Sequence, residues 1–460
     1  MTVRIPRILL SGTSSRAGKT IISVGLMRAL KNRGYRVQPF KVGPDFIDPS
    51  FHLFATGTYS RNLDSYMMTG ENIQESFQRN AKDADIAVIE GVMGLYDSHN
   101  GLDEKGSTGE VAKILEAPVI LIANIERISR TAAAFVMGYK EFDRDVNIEG
   151  VILNRTGSKR HSEKARLAVE KLAKMNVLGV MPRDEDVMVP ERHLGLTPAY
   201  ERDQLEKLFE KLAEFIEEYL DVDQIIEIAS KAPELEEQEE NPLFHPEEKF
   251  DINLGIIRDK AFTFYYQDNI DAFKANGAKI KYIDSLNDPK LPEVDALYIG
   301  GGFPEVFAKQ MEDNTNFRED VNDFCSQGRP VYAECGGLMY LGERATTMDG
   351  KSYEMVGFLP IETQMQKKFQ ALGYTRYDVI KDNPISKVGD SLVGHEFHYS
   401  KIKLKDRVDL VYKAQRGRGV DGEYDGILKK NTLASYLHLH VLSHPSMIER
   451  FLRLAEKTKN

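Results

Sequence analysis

Two α/β domains in series are predicted for this 460-residue chain, and three observations predict them. Each half alternates short apolar runs with helical periodicity, the pattern of a parallel sheet covered by helices. Between the halves, Pro233 to Glu248 holds seven Glu and three Pro and has little that builds a core. Each half also carries a candidate reactive side chain on a glycine-bearing turn directly after an apolar run: Ser11-Gly-Thr-Ser-Ser-Arg-Ala-Gly-Lys-Thr20 in the first and Val331-Tyr-Ala-Glu-Cys-Gly-Gly-Leu-Met-Tyr340 in the second. The expected division is a first domain over 1–232, an acidic solvated linker over 233–250 and a second domain over 251–460.

In chain order, the first half predicts strands at Arg7–Leu10, Ile86–Ile89, Val119–Ala123 and Ile148–Leu153. Several are continuously apolar, as strands covered on both faces are. Helices are expected at Thr20–Asn32, Gly109–Leu115 and Ser162–Met175, and Leu205, Leu208, Phe209, Leu212, Phe215 and Ile216 fall on one helical face that closes the domain. The second half predicts strands at Leu254–Ile257, Lys279–Ile283, Ala296–Ile299 and Pro330–Ala333, with helices between them.

Composition narrows the class. A net charge of -10 argues against sequence-independent nucleic-acid binding. No apolar run approaches the ~20 residues of a membrane span, and Ile8–Leu10 is too short for a signal-peptide core. Two cysteines, Cys325 and Cys335, do not make a disulfide framework, so a reducing cytoplasm is expected.

The first glycine turn reads as a phosphate loop. Gly12 precedes Gly18 by five intervening residues, one more than the usual spacing, and Lys19-Thr20 follow at the start of a helix. Backbone N–H groups of Ser15 to Thr20, with Arg16, Ala17 and Gly18 among them, would face phosphate oxygens, where the helix N-terminus favours anions, and Gly12 and Thr13 open the same nucleotide-binding loop. Lys19 supplies a charge for the β/γ-phosphates and Thr20 a hydroxyl for Mg²⁺. Carboxylates after nearby strands complete the metal set: Glu90 after Ile86–Ile89, Asp45 and Asp48 in a turn-rich loop, and Asp97 after Gly94-Leu-Tyr. Each also fits a solvated loop residue. Asn154 ends another strand, where it suits adenine recognition or a helix cap. His193 suits an anionic substrate or local capping.

The second turn holds a candidate nucleophile. Cys335 ends a β-rich run before two glycines, so its side chain would stand exposed beside free N–H groups. The same tract fits a buried cysteine beside a tight turn. Amides of Gly301 and Gly302, with Gly336, would form an oxyanion hole. His438 and His440, two apart on an expected strand, would share a face, and both are candidates for the base. A paired-histidine metal site is the rival reading. His395 and His398 suit either a substrate pocket or the core.

Together these tracts resemble the cobyrinic acid a,c-diamide synthase family, which includes the nickel-sirohydrochlorin a,c-diamide synthases. Further matching tracts are Lys41-Val-Gly-Pro-Asp-Phe-Ile-Asp48, Arg61-Asn-Leu-Asp64, Ile89-Glu-Gly-Val-Met-Gly-Leu-Tyr-Asp97, Pro190-Glu-Arg-His-Leu-Gly-Leu196, Ala261-Phe-Thr-Phe-Tyr-Tyr266, Gly394-His-Glu-Phe-His-Tyr-Ser400 and Ala434-Ser-Tyr-Leu-His-Leu-His440. The resemblance implies a dethiobiotin-synthetase-like P-loop ATP-binding domain followed by a class I (triad-type) glutamine amidotransferase domain. It implies ATP, Mg²⁺ and L-glutamine as reactants and a tetrapyrrole as substrate, with Asp48, Asp64, Asp97 and His193 turned to that substrate. An acyl phosphate would form on a ring carboxylate and accept ammonia released at Cys335. A homodimer is compatible with this reading.

Two departures stand out. The family's usual His-Pro-Glu reads His438-Leu439-His440 here, so His440 stands where the triad glutamate is expected and the third triad member is left open. Ser98-His99-Asn100 follows Asp97 where cobalt-pathway members carry glycine, and Phe46 stands where tyrosine is common. These lean toward the nickel substrate. The rivals are a cobyric acid synthase, which amidates other carboxylates of the ring, and a partitioning-type P-loop ATPase switch.

Overall fold

The computed structural model describes residues 2–183 and 202–459, so His193 lies outside the described residues. The chain divides into two compact units, Met1–Glu240 and Asn241–Asn460.

The first unit is built on a seven-stranded sheet with every pair parallel, ordered 61–63, 37–42, 86–94, 7–12, 119–124, 148–156 and 177–182. Arg7–Gly12 is the central strand, and Ile8, Leu9 and Leu10 are wholly buried. Its continuation, the helix Lys19–Asn32, packs on Arg202–Tyr219 so closely that a Cβ at Gly25 would stand 2.7 Å from Ile216.

Three strands escape the sequence reading for physical reasons. Val37–Val42 carries Gln38, Pro39 and Lys41, polar or disruptive residues that the fold nonetheless buries. Arg61–Leu63 is too short to show periodicity, and Val177–Pro182 is broken by Gly179, where Leu220 crosses the backbone. The helix expected over Ser162–Met175 is instead Lys159–Ala168 followed by a π-helical turn at Val169–Ala173. Nor does the Leu205–Ile216 face end the unit. A further helix, Val222–Ser230, follows, capped by the Asp221 carboxylate on the Gln224 N–H. Within the acidic stretch, Leu235–Glu236 pairs antiparallel with Thr2–Val3, and Leu235 is fully buried.

The second unit holds a nine-stranded mixed sheet. Five strands run parallel, in the order 278–283, 252–257, 296–299, 331–334 and 432–435. Four antiparallel strands extend it: 424–429, 409–416, 371–379 and 391–398. A separate four-stranded sheet comprises 352–354, 344–346, 361–365 and 400–404. Antiparallel strands such as 371–379 and 409–416 are half-exposed, so their sequence lacks the apolar runs that mark the parallel ones.

Both glycine turns follow central parallel strands. In such sheets, ligands gather at the carboxyl ends of the strands. Ala296–Ile299 and Thr432–Ser435 flank Val331–Glu334, which brings Gly300–Gly302 and the segment leading to His438 beside Cys335.

Candidate active sites

In the first unit, the loop between Gly12 and Lys19 keeps Ser15 and Arg16 exposed and Ala17 buried. Arg16 and Gly18 adopt left-handed backbone conformations, φ 62° and 101°, which turn the loop tightly before the helix. Thr13 is anchored through its N–H to the Ile122 carbonyl at 3.0 Å, and its own carbonyl accepts from the Tyr139 hydroxyl. Asn154, read as adenine-recognising, commits its amide to the loop: Nδ2 donates to the Ala17 carbonyl at 2.8 Å, and Oδ1 accepts from the Arg155 N–H. A cleft of about 660 Å³ opens beside Thr13 and Ser14, with Asn124, Arg127 and Phe135 on its walls. That volume suits a small-molecule ligand.

Below the loop lies a buried charge cluster. Thr20 Oγ1 is 2.8 Å from Glu90 Oε1 and 3.4 Å from Asp48 Oδ1. Lys41, which the sequence reading passed over, bridges the same two carboxylates at 2.6 Å (Asp48) and 3.2 Å (Glu90). Its signal was a lysine ending a strand among buried neighbours. His52, also missed, contacts Glu90 Oε2 at 2.7 Å and Ser60 at 3.0 Å. Burial works against the charge of Lys41, but Asp48 and Glu90 outweigh it and hold the ammonium ionised. Burial also works against Glu90, yet Lys41 and His52 keep it ionised. Asp48 is pushed well above the usual carboxylate range by burial and then by the charge of Glu90. Lys19 is lowered to about 8, first by burial and then by Lys41.

The remaining carboxylates divide. Asp45 reaches Asp48 and caps the Ile47 N–H at 2.8 Å. Asp97 accepts from the Gly94 N–H at 2.8 Å and acts electrostatically on Lys19. Asp64 turns into its own loop, accepting from the Tyr66 and Met67 N–H groups. Hydroxyl and carboxylate oxygens from Thr20, Glu90 and Asp45 are the hard donors Mg²⁺ takes, with phosphate and water completing its shell. Among the described residues, no three His, Cys, Asp or Glu side chains are arranged to hold a metal alone.

In the second unit, Cys335 sits between strand and helix with φ 47° and ψ -94°, and its side chain is buried, not exposed as its turn suggests. A non-glycine residue there stores on the order of 1–3 kcal/mol, a cost that clusters at functional turns. Its N–H is bonded to the Ser435 carbonyl at 2.7 Å, and its sulfur lies 3.7 Å from the Phe397 carbonyl. The Gly336 N–H is directed at the sulfur. Burial, then Glu305 and Glu334, push the thiol far up. Gly336 in turn abuts Gly302: a Cβ on Gly336 would stand 3.0 Å from the Gly302 nitrogen. A Cβ on Gly301 would stand 2.6 Å from His438 Cε1 and 3.3 Å from its Nε2. Cys335, the three oxyanion candidates and His438 thus border one turn. The Gly300 N–H, by contrast, is taken by the Tyr265 hydroxyl at 2.7 Å.

The histidine pair behaves differently from its expected geometry. The strand ends at Ser435, so His438 and His440 share no strand face. His438 forms an isolated bridge with His395, and their rings stack at 4.9 Å. Its Nδ1 faces Glu334 Oε2 at 3.4 Å. His440 Nδ1 accepts from the Leu442 N–H at 3.2 Å, and its Nε2 faces Asp268 at 3.5 Å. His440 therefore does not replace a triad glutamate. The carboxylate beside His438 is the residue just before Cys335, hidden from any reading that looks two residues past the histidine. His395 meets the Tyr266 hydroxyl at 3.1 Å, and His398 stacks on Tyr436 at 3.6 Å while bonding the Ser400 carbonyl. Cys325 is buried in the helix Thr315–Ser326, and burial raises its thiol to about 12.

A parallel-sheet unit with a phosphate loop and a second α/β unit with a strained cysteine beside histidine define a glutamine-hydrolysing ligase. Residues 8–196 match the CobQ/CobB/MinD/ParA nucleotide binding domain, and residues 253–446 match the CobB/CobQ-like glutamine amidotransferase domain. The chain belongs to the cobyrinate a,c-diamide synthase family. It is 55% identical to the cobyrinate a,c-diamide synthase of Archaeoglobus fulgidus over 99% of this chain and 98% of that one. It is 44% identical to those of Methanosphaera stadtmanae (98% of this chain, 100% of that one) and Methanothermobacter thermautotrophicus (98% and 99%). Among the described residues, no helix is long and apolar enough to cross a membrane.

Proposed function

We propose that this enzyme amidates the a- and c-carboxylate side chains of a tetrapyrrole, using ATP and glutamine. The observation that carries the reading is the pairing, in one chain, of a phosphate loop over a buried carboxylate cluster with a strained cysteine and a buried histidine that border one glycine turn.

ATP phosphates lie along the loop, with Lys19 at the transferring phosphoryl group and Lys41 beneath it. Thr20, Glu90 and Asp45 would hold Mg²⁺, which supplies charge neutralisation on the phosphates when bound. A ring carboxylate attacks the γ-phosphorus and becomes an acyl phosphate, with ADP leaving. In the second unit, the Cys335 sulfur attacks the glutamine side-chain carbon while His438 takes the thiol proton. The oxyanion rests on the N–H groups of the Gly301, Gly302 and Gly336 turn. His438 returns the proton to the departing nitrogen as the C–N bond breaks, releasing ammonia and leaving a thioester. Water then hydrolyses the thioester to glutamate. Ammonia displaces phosphate from the acyl phosphate, and a second round gives the diamide.

Asp48, Asp97 and His193 are assigned to the substrate side, and a homodimer is the proposed assembly. Cobyrinate is the substrate in the names of the relatives. Phe46 and Ser98-His99-Asn100 favour nickel-sirohydrochlorin. The test incubates the enzyme with ATP, Mg²⁺ and glutamine and offers both tetrapyrroles in parallel, carboxylates labelled with ¹⁸O. The expected products are a diamide by mass spectrometry and one ¹⁸O transferred to phosphate per amide. Diamide without labelled phosphate would remove the acyl-phosphate route, and no diamide from either ring would remove the substrate class.

A further inference from the structure

The carboxylate facing His438 belongs to Glu334, immediately before the nucleophile. Glu334 is 1% exposed, and its contacts are all directed. Oε1 accepts from the Tyr332 hydroxyl at 2.5 Å and from the Leu439 N–H at 3.3 Å. Oε2 accepts from the Tyr298 hydroxyl at 3.2 Å and faces His438 Nδ1 at 3.4 Å. One carboxylate thus grips the His438 segment twice, through the ring and through the next backbone N–H.

This grip fixes the ring's direction. With Nδ1 toward Glu334, the far nitrogen Nε2 lies at the Gly301 edge of the glycine turn, which Gly336, the residue after Cys335, meets at Gly302. A carboxylate so placed selects the tautomer with hydrogen on Nδ1 and leaves Nε2 as the base. His440, the alternative by sequence, is engaged by Asp268 and Leu442. Glu334 and His395 both pack on His438, and burial, then His438, holds His395 well below the usual histidine range.

We infer that Glu334 is the positioning residue of the glutaminase site, orienting His438 and stabilising its imidazolium while the adjacent Cys335 attacks. The consequence is that one dipeptide, Glu334-Cys335, supplies both the nucleophile and the group that aims its base.

This inference rests on the glutaminase reading, and the test separates the two. Glutamate release from glutamine is measured across pH for wild type, Glu334→Gln, Glu334→Asp, His438→Ala and the Glu334→Gln/His438→Ala pair, with ammonia-dependent amidation and thermal melting alongside. Wild type that releases no glutamate removes the glutaminase reading itself. The inference expects Glu334→Gln to lose about 100-fold or more in kcat with little change in KM for glutamine. Its acid limb should move to lower pH, because removing an anion disfavours the imidazolium. Glu334→Asp should recover part of the rate, and adding Glu334→Gln to His438→Ala should cost nothing more. A Glu334→Gln rate within threefold of wild type overturns the inference. So does a loss shared equally by the ammonia-dependent reaction, which marks a purely structural role. If Glu334→Gln does not fold, Glu334→Asp decides on its own, with an unchanged kcat and acid limb counting against the inference.

Discussion

Cys335 combines a strained backbone with a buried thiol, and both follow from its turn. A thiol pushed up by burial and by Glu305 and Glu334 is protonated in the resting enzyme. Alkylation of Cys335 by iodoacetamide should therefore keep accelerating from pH 7 to 9.5, as measured by mass spectrometry of the modified peptide. A plateau by neutral pH would mean the free enzyme already holds a thiolate. Gly301 tests the turn from the other side. A methyl group there collides with the His438 ring, at 2.6 Å from Cε1. Gly301→Ala should lower the glutamine-dependent rate by about 100-fold, the scale of a disrupted oxyanion site, in a steady-state assay with glutamine as nitrogen source. The placement of Cys335 and Gly301 at strand ends was legible in the sequence, because each follows an apolar run that the sheet buries. Glu334, Lys41 and His52 were not legible, since their roles come from neighbours far along the chain that only the folded sheet brings near.

Most parallel strands could be read from their apolar runs, because burial on both faces leaves that mark; Val37–Val42, Arg61–Leu63 and Val177–Pro182 could not. The antiparallel half of the second unit could not, because strands such as Ala371–Val379 and Asp409–Arg416 are half-exposed and carry no such run. The acidic stretch misled in the opposite sense: its glutamates suggested free chain, yet Leu235 is buried where Leu235–Glu236 pairs with Thr2–Val3. Leu235→Ala should cost the first unit about 2–4 kcal/mol, seen as a lower denaturant midpoint. An unchanged midpoint would mean that this pairing contributes nothing. At the phosphate loop, Gly18→Ala puts a Cβ 2.2 Å from Asn154 Nδ2 at a φ of 101°. It should abolish nucleotide binding by calorimetry while the second unit still releases glutamate from glutamine.

In the proposed reaction each unit carries one half: activation of a carboxylate in the first, release of ammonia in the second. The family and the two-unit fold were legible because their motifs are spread along most of the chain and each motif sits at a strand end. The substrate ring was less so, since the metal of a macrocycle leaves no mark in the residues that hold its carboxylates. The most direct measurement of the two-site account is amidation by Cys335→Ser, assayed in parallel with glutamine and with a high concentration of ammonia. The account predicts no amide from glutamine and amide formation near the wild-type rate from ammonia, with Lys19→Ala inactive on both nitrogen sources. Glutamine-dependent amidation by Cys335→Ser, or full activity in Lys19→Ala, would contradict it.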